Sequence, residues 1–174
     1  TVEFLAALIV MLVASPFVGD LKGGAPIDSA LMTLVLISGV FAIGRNRRTL
    51  VLAVILVLPP IVTRWINHFQ PDWLPDWVHT TAALVFISFV EFQLLHFIFR
   101  ARRVNAEVLS AGVSGYLLLG MLWTFAYVLV SRLNPLGAFS YNVGTASMQP
   151  LQLFDAYYFS YITLSTVGYG DIVP

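Results

Sequence analysis

Residues 2–18, 27–44, 49–66, 79–99 and 112–132 are five apolar runs, each close to the length that crosses a lipid bilayer. A helix needs about 20 mostly apolar residues to traverse roughly 30 Å of hydrocarbon. Five such runs in a chain of 174 residues leave little sequence for a water-soluble core. Composition agrees, because 59% of residues are hydrophobic and 10% are charged, with mean hydropathy +0.86. A soluble domain of this size cannot bury so much apolar side chain, so lipid is the expected solvent. Nine basic and nine acidic residues cancel, so no overall field argues for a nucleic-acid partner. The chain has no cysteine, which excludes disulfides, thiolate metal sites and thiol nucleophiles. The third run is interrupted by Pro59-Pro60 and carries Arg64 near its end. It spans if the prolines kink it and Arg64 snorkels to the headgroups.

The loops give an orientation. Arg45, Arg47 and Arg48 separate runs two and three, and Arg100, Arg102 and Arg103 separate runs four and five. Two spans lie between these loops, so they share a side, and they hold six of the nine basic residues. The excess of Lys and Arg on cytoplasmic loops places that side inside. The N-terminus is then cytoplasmic, and Lys22, Arg64 and Arg132 fall outside. Trp73 and Trp77 suit an interfacial belt. The opening "TVEFLAALIVMLVASPF" reads as a first span rather than a signal peptide, since no basic leader precedes it.

Beyond run five, "NPLGAFSYNVGTASMQP" is a polar outer loop, and "LQLFDAYYFSYITLS" is an apolar, aromatic stretch of about fifteen residues. The latter is too short to span comfortably and runs directly into "TVGYGD". A helix over 153–164 that enters from outside and turns back fits this length. Irregular backbone at membrane depth survives only where protein buries it or where it lines a water-filled path.

Thr166-Val167-Gly168-Tyr169-Gly170, followed by Asp171, resembles the signature of potassium channels of the two-helix, pore-loop type. At roughly 1 in 20 per position, six fixed residues recur by chance on the order of once in 10⁷–10⁸ positions. The likeness covers about residues 112–174: outer helix 112–132, pore helix 153–164 and filter 166–170. Its chemistry is intelligible from the residues. A wall that passes a bare cation replaces the hydration shell with oxygens, and Gly168 and Gly170 supply positive φ at little steric cost. The resemblance implies that the carbonyls of Thr166, Val167, Gly168 and Tyr169, with the Thr166 hydroxyl, form successive rings of K⁺ ligands. One chain contributes one oxygen per ring, so a homotetramer is the expected partner arrangement. Val167 and the Tyr169 ring are expected to face the pore helix. The C-terminal end of that helix favours a cation in the cavity, and Asp155 suits its first turn. Asp171 belongs at the outer mouth, near Asp20, Asp28, Asp72 and Asp76 on this topology, with Tyr158 donating a hydrogen bond to it. Ile162 departs from the branch of the family that places a Glu there, which removes a Glu–Asp pair as a gating device.

Competing readings are weaker. A phosphate loop needs a following helix and a Lys or longer Gly pattern, and none is present. A voltage sensor needs Arg or Lys at every third residue of a span, whereas residues 79–99 contain none. Core packing explains "WTFAY" and "YYFSY" better than ligand binding. Glu91 lies deep in run four, where an ionisable residue is by default a functional hypothesis. Glu91 and His96 are candidates for pH sensing, against a structural contact from Glu91 to an arginine of residues 45–48.

These readings define an all-α membrane protein of about five transmembrane helices plus a re-entrant pore helix and filter loop. Residues 1–103 form a four-helix region without gating charges, and 104–174 form an incomplete pore domain. The potassium-channel pattern requires one more helix after "DIVP", so the chain is expected to be part of a longer channel. The expected function is passive K⁺ conduction without strong voltage sensing. Its rival is a non-conducting membrane sensor or interaction module, or a truncated dominant subunit. No enzyme activity or cofactor is expected, K⁺ being the permeant ion, and the compact loops suit a bacterial inner membrane. The sequence names no regulatory ligand.

Overall fold

A computed structural model describes residues 2–19, 24–43, 47–69, 75–134, 137–142 and 151–174. The elements are α1 (Val2–Gly19), α2 (Gly24–Ile43), α3 (Arg47–Phe69), α4 (Asp76–Arg100), α5 (Ala106–Leu133), β1 (Ser140–Tyr141), α6 (Leu153–Leu164) and β2 (Ile172–Val173). This is an all-α membrane protein. Residues Arg47–Asn67, Trp77–Arg100 and Ala106–Leu133 are long and apolar enough to cross a bilayer, and Val2–Ala14 and Ser29–Ala42 are shorter apolar helices. Asp20, Lys22, Arg45, Asp72 and Trp73 lie outside the described residues, as do the side chains of Asp28 and Asp76.

Two compact units divide inside α5, at Leu119 and Gly120. In the first, α1 packs on α2, α2 on α3, α3 on α4, and α2 also meets α4. Phe4, Leu8, Met32, Leu36, Phe86, Ile87, Val90 and Leu94 are buried. Gly39 brings its backbone close to Phe4, Phe86 and Val90, the usual use of a small residue where membrane helices approach. The outward faces stay apolar: Val51, Ile55, Leu58 and Val62 on α3, and Val85, Phe92 and Phe99 on α4. In lipid this surface carries no penalty, whereas water would oppose it.

Membrane helices must satisfy their polar groups internally, and several hydroxyls of this unit bond within their own helices. The hydroxyls of Thr33, Thr81 and Ser88 donate to the carbonyls of Ser29, Trp77 and Leu84, each one turn back. Pro59 and Pro60 lie inside α3 without ending it, and Thr63 donates to the Pro59 carbonyl at 2.7 Å. Arg64 reaches Ser29 on α2, at 3.3 Å from Nε to Oγ. The chain leaves α4 at Ala101 in extended conformation. Asn105 then starts α5 by accepting the Val108 N–H at 2.9 Å, as N-cap residues do.

The second unit runs through the end of α5, the outer loop, α6 and the glycine segment. Its core is Val128, Phe139, Leu151, Ala156 and Ile172. Tyr127, Phe139 and Phe159 meet edge to face, with centroids 5.0–5.8 Å apart, the preferred arrangement of aromatic quadrupoles. α5 and α6 are stitched by polar bonds. Ser160 donates to the Gly120 carbonyl at 2.6 Å, and the Leu151 N–H donates to Ser131 Oγ at 2.9 Å. Gly120 is required at the crossing, because a Cβ there would collide with the Tyr161 ring.

Candidate functional site

The glycine segment leaves α6 through a tight turn. The Ser165 and Thr166 N–H groups donate to Tyr161 and Thr163 carbonyls at 2.9 and 3.0 Å. The Val167 and Gly168 N–H groups then share the Ile162 carbonyl, at 2.9 and 3.1 Å. Carbonyls that a helix leaves free at its C-terminus here hold the first half of the segment.

Thr166, Gly168 and Gly170 have φ of +60°, +51° and +72°. Every second residue from 166 to 170 is thus left-handed. Glycine adopts that region freely. For Thr166 it costs roughly 1–2 kcal/mol, since Cβ crowds the following carbonyl. Such strain persists only where the surroundings enforce it, and the bonds to the end of α6 are on hand to do so. Alternation of left-handed and ordinary φ is the backbone pattern that lets consecutive carbonyls face one side.

The second half is held differently. Asp171 accepts a hydrogen bond from Tyr158 of α6, which raises the tyrosine's ionisation from 10.0 to about 12; partial burial and the charges of Asp171 and Tyr169 add to the shift. The Ile172 N–H donates to Asp171 Oδ1 at 3.0 Å. Tyr158 and Tyr169 lie stacked, with centroids 6.5 Å apart and planes 7° from parallel. β2 pairs antiparallel with β1, Ser140 opposite Val173 and Tyr141 opposite Ile172. Asn142, next in the outer loop, donates from its backbone N–H to the Asp171 carbonyl at 2.7 Å. Its Nδ2 donates to the Gly170 carbonyl at 2.9 Å.

Asp155 sits in the first turn of α6. There it complements the positive end of the helix and accepts the Tyr141 hydroxyl at 2.7 Å. Burial, then this bond and the charge of Asp155, push the Tyr141 hydroxyl well above the ordinary tyrosine range. Val167 and Tyr169 are 53% and 71% exposed. Tyr169 therefore meets α6 through Tyr158 while most of its surface, like that of Val167, stays open in a single chain.

The structure gathers residues 166–171, Tyr158 and Asp155 about α6 and does not bring the two pH candidates together. Glu91 is buried, and its Oε2 has no hydrogen-bond partner among the described residues. The contact expected from an arginine of 45–48 does not reach that atom among the described residues. Gly115 faces the carboxylate, where a Cβ would stand 3.6 Å from Oε1. His96 is exposed, stacked on Phe92 at 6.2 Å. Five residues of helix separate Glu91 from His96 by about 140°. Tyr141 and Asn142 were not distinguishable in the sequence, because neither has a local motif.

Residues 115–174, about a third of the chain, match a family model described as an ion channel. The matched stretch includes the outer-loop strand, α6 and the whole glycine segment. It supports an ion-channel pore domain here, in a membrane protein of ion transport. No curated protein and no solved structure matches the chain.

Proposed function

We propose that the chain is a subunit of a potassium-selective channel in which four copies surround a carbonyl-lined filter formed by residues 166–170. The observation that carries this reading is the left-handed φ at Thr166, Gly168 and Gly170, within a stretch matching the ion channel family. Ion binding falls to the carbonyls of Thr166, Val167, Gly168 and Tyr169 and to the Thr166 hydroxyl, which replace water around a dehydrated cation. Tyr158 and Asp171 support the outer end of the filter. The open flanks of Val167 and Tyr169 in a single chain favour neighbouring copies that cover them. The C-terminal end of α6 carries partial negative charge, which favours a cation beside it.

The bilayer is the channel's solvent. The basic loops favour a cytoplasmic N-terminus, and the plasma membrane is the proposed location. The channel senses voltage weakly, because α4 bears no cation between His79 and Phe99. Potassium and sodium flux through the full-length protein in liposomes, beside Gly168→Ala, tests the proposal. Potassium flux without sodium flux, silenced by the substitution, is expected. Equal passage of both ions, or of neither, would overturn it.

A further inference from the structure

The inner half of the filter segment is anchored to α6, whereas its last two carbonyls are anchored to the outer loop. Asn142 donates to both, from Nδ2 to Gly170 at 2.9 Å and from its backbone N–H to Asp171 at 2.7 Å. The residue is held in place from two sides. Tyr141 beside it pairs with Ile172, and the Tyr141 hydroxyl is bonded to Asp155 at the start of α6. The first turn of α6, the β1–β2 pair and the outer end of the segment thus form one closed circuit of hydrogen bonds.

Gly170 is the point in this circuit with most freedom. Its φ is +72°, and nothing lies within 4 Å of where a Cβ would stand. A glycine with open space at its Cβ position has more backbone orientations open to it than any other residue. The Asn142 side-chain amide selects the one in which the Gly170 carbonyl turns toward the outer loop. We propose that Asn142 is a positioning residue for conduction: by holding the Gly170 carbonyl, it keeps the outer end of the filter in its conducting form. This rests on the reading of residues 166–170 as a filter. It makes the outer loop part of the conduction machinery. Without the tie, the Gly170 peptide rotates, and the adjoining Tyr169 carbonyl loses its alignment as an ion ligand. A cation bound at the outer mouth opposes that rotation, so external potassium substitutes for the missing bond.

Asn142→Asp keeps the size of the side chain and removes its N–H donors; Asn142→Gln retains a donor on a longer arm. Two readouts separate the tie from the pore. In the first, the Gly170 carbonyl carbon is labelled and its resonance recorded by solid-state NMR. Asn142→Asp displaces or splits this resonance, and Asn142→Gln largely restores it; an unchanged resonance in Asn142→Asp overturns the proposal. In the second, potassium flux is followed as external potassium rises. One net hydrogen bond corresponds to roughly a fivefold to tenfold shift in a two-state population. The conducting fraction of Asn142→Asp therefore falls by about that factor at low external potassium and recovers at high. A displaced resonance with flux like the wild type at every potassium concentration overturns the positioning role. Should the wild type conduct no potassium, the filter reading fails by itself, and with it the conduction role given to Asn142, while the resonance alone decides the tie.

Discussion

The two units of this chain differ in where most of their hydroxyls and amides find partners. In the unit of residues 1–119, the hydroxyls of Thr33, Thr63, Thr81, Ser88, Ser110 and Ser114 bond within their own helices. Apolar packing around residues such as Phe4, Phe86 and Leu94 holds the helices to one another, and Arg64 adds a bond to Ser29 between α3 and α2. In the unit of residues 120–174, five bonds cross between elements: Ser160 to Gly120, Leu151 to Ser131, Tyr141 to Asp155, Asn142 to Gly170 and Tyr158 to Asp171. Helical backbone satisfies itself and needs only packing. The irregular segment at 166–171 has no ladder of its own, so the last carbonyls of α6 and the side chains of Tyr158 and Asn142 supply its partners. Cross-element polar bonds accumulate where the backbone is unusual, and the unusual backbone is the candidate conduction path.

Substitutions that strike the second unit should therefore have larger effects than matched ones in the first. The largest is expected at the filter, where Gly168→Ala forces a Cβ into φ of +51° at roughly 1–2 kcal/mol; liposome flux should disappear while the protein still folds. Next is Gly120→Ala, whose Cβ meets the Tyr161 ring. Overpacking of this kind costs about 1–3 kcal/mol, seen as a lower unfolding temperature in detergent. Gly112 provides the contrast, since nothing lies within 4 Å of its Cβ position. Gly112→Ala should be neutral or stabilise by up to about 1 kcal/mol through helix propensity. If Gly112→Ala proved as damaging as Gly120→Ala, the distinction between the units would fail.

A second matched pair removes hydroxyls. Ser160 is buried and bonds across to α5, so Ser160→Ala should cost about 1 kcal/mol. Ser88 bonds only within α4, and Ser88→Ala should stay within about 0.5 kcal/mol. Unfolding in detergent reads both. The smallest expected effect concerns pH. The ionisation of Tyr158 is raised to about 12, so its neutral, donating form is the one the fold favours. Its tie to Asp171 is present in full below the ordinary tyrosine value of 10.0 and is lost as pH rises through about 12. Ultraviolet titration of tyrosinate should show a group ionising near 12 that Tyr158→Phe removes, while the late ionisation of Tyr141 persists; no change near 12 on substitution would contradict the bond.

Much of the helical frame was legible, because bilayer thickness imposes a length that a sequence displays directly. The run at 112–132 lies inside α5, Ala106–Leu133, and the run at 49–66 inside α3, Arg47–Phe69. The helices extend further than the apolar runs, because hydropathy marks only the part matched to hydrocarbon while the backbone ladder continues into the interface. α6 spans Leu153–Leu164, the stretch expected for the re-entrant helix. Gly168 and Gly170 were readable as left-handed positions because glycine tolerates them. Thr166 was not, since nothing in a threonine announces φ of +60°. The strap of Tyr141 and Asn142 was equally hidden. Its partners lie fourteen and twenty-eight residues away, beyond any helical or strand period. An isolated glycine within a helix can mark a close contact, but only the fold identifies Tyr161 as the neighbour of Gly120.

The central claim is that residues 166–170 select potassium through their carbonyls. Its most direct test is the reversal potential of the full-length protein in a planar bilayer, with potassium on one side and sodium on the other. Current should reverse at a large potential, with the potassium side strongly negative relative to the sodium side. Reversal near zero with a measurable conductance would show a pore that does not distinguish the two ions, and would contradict the claim.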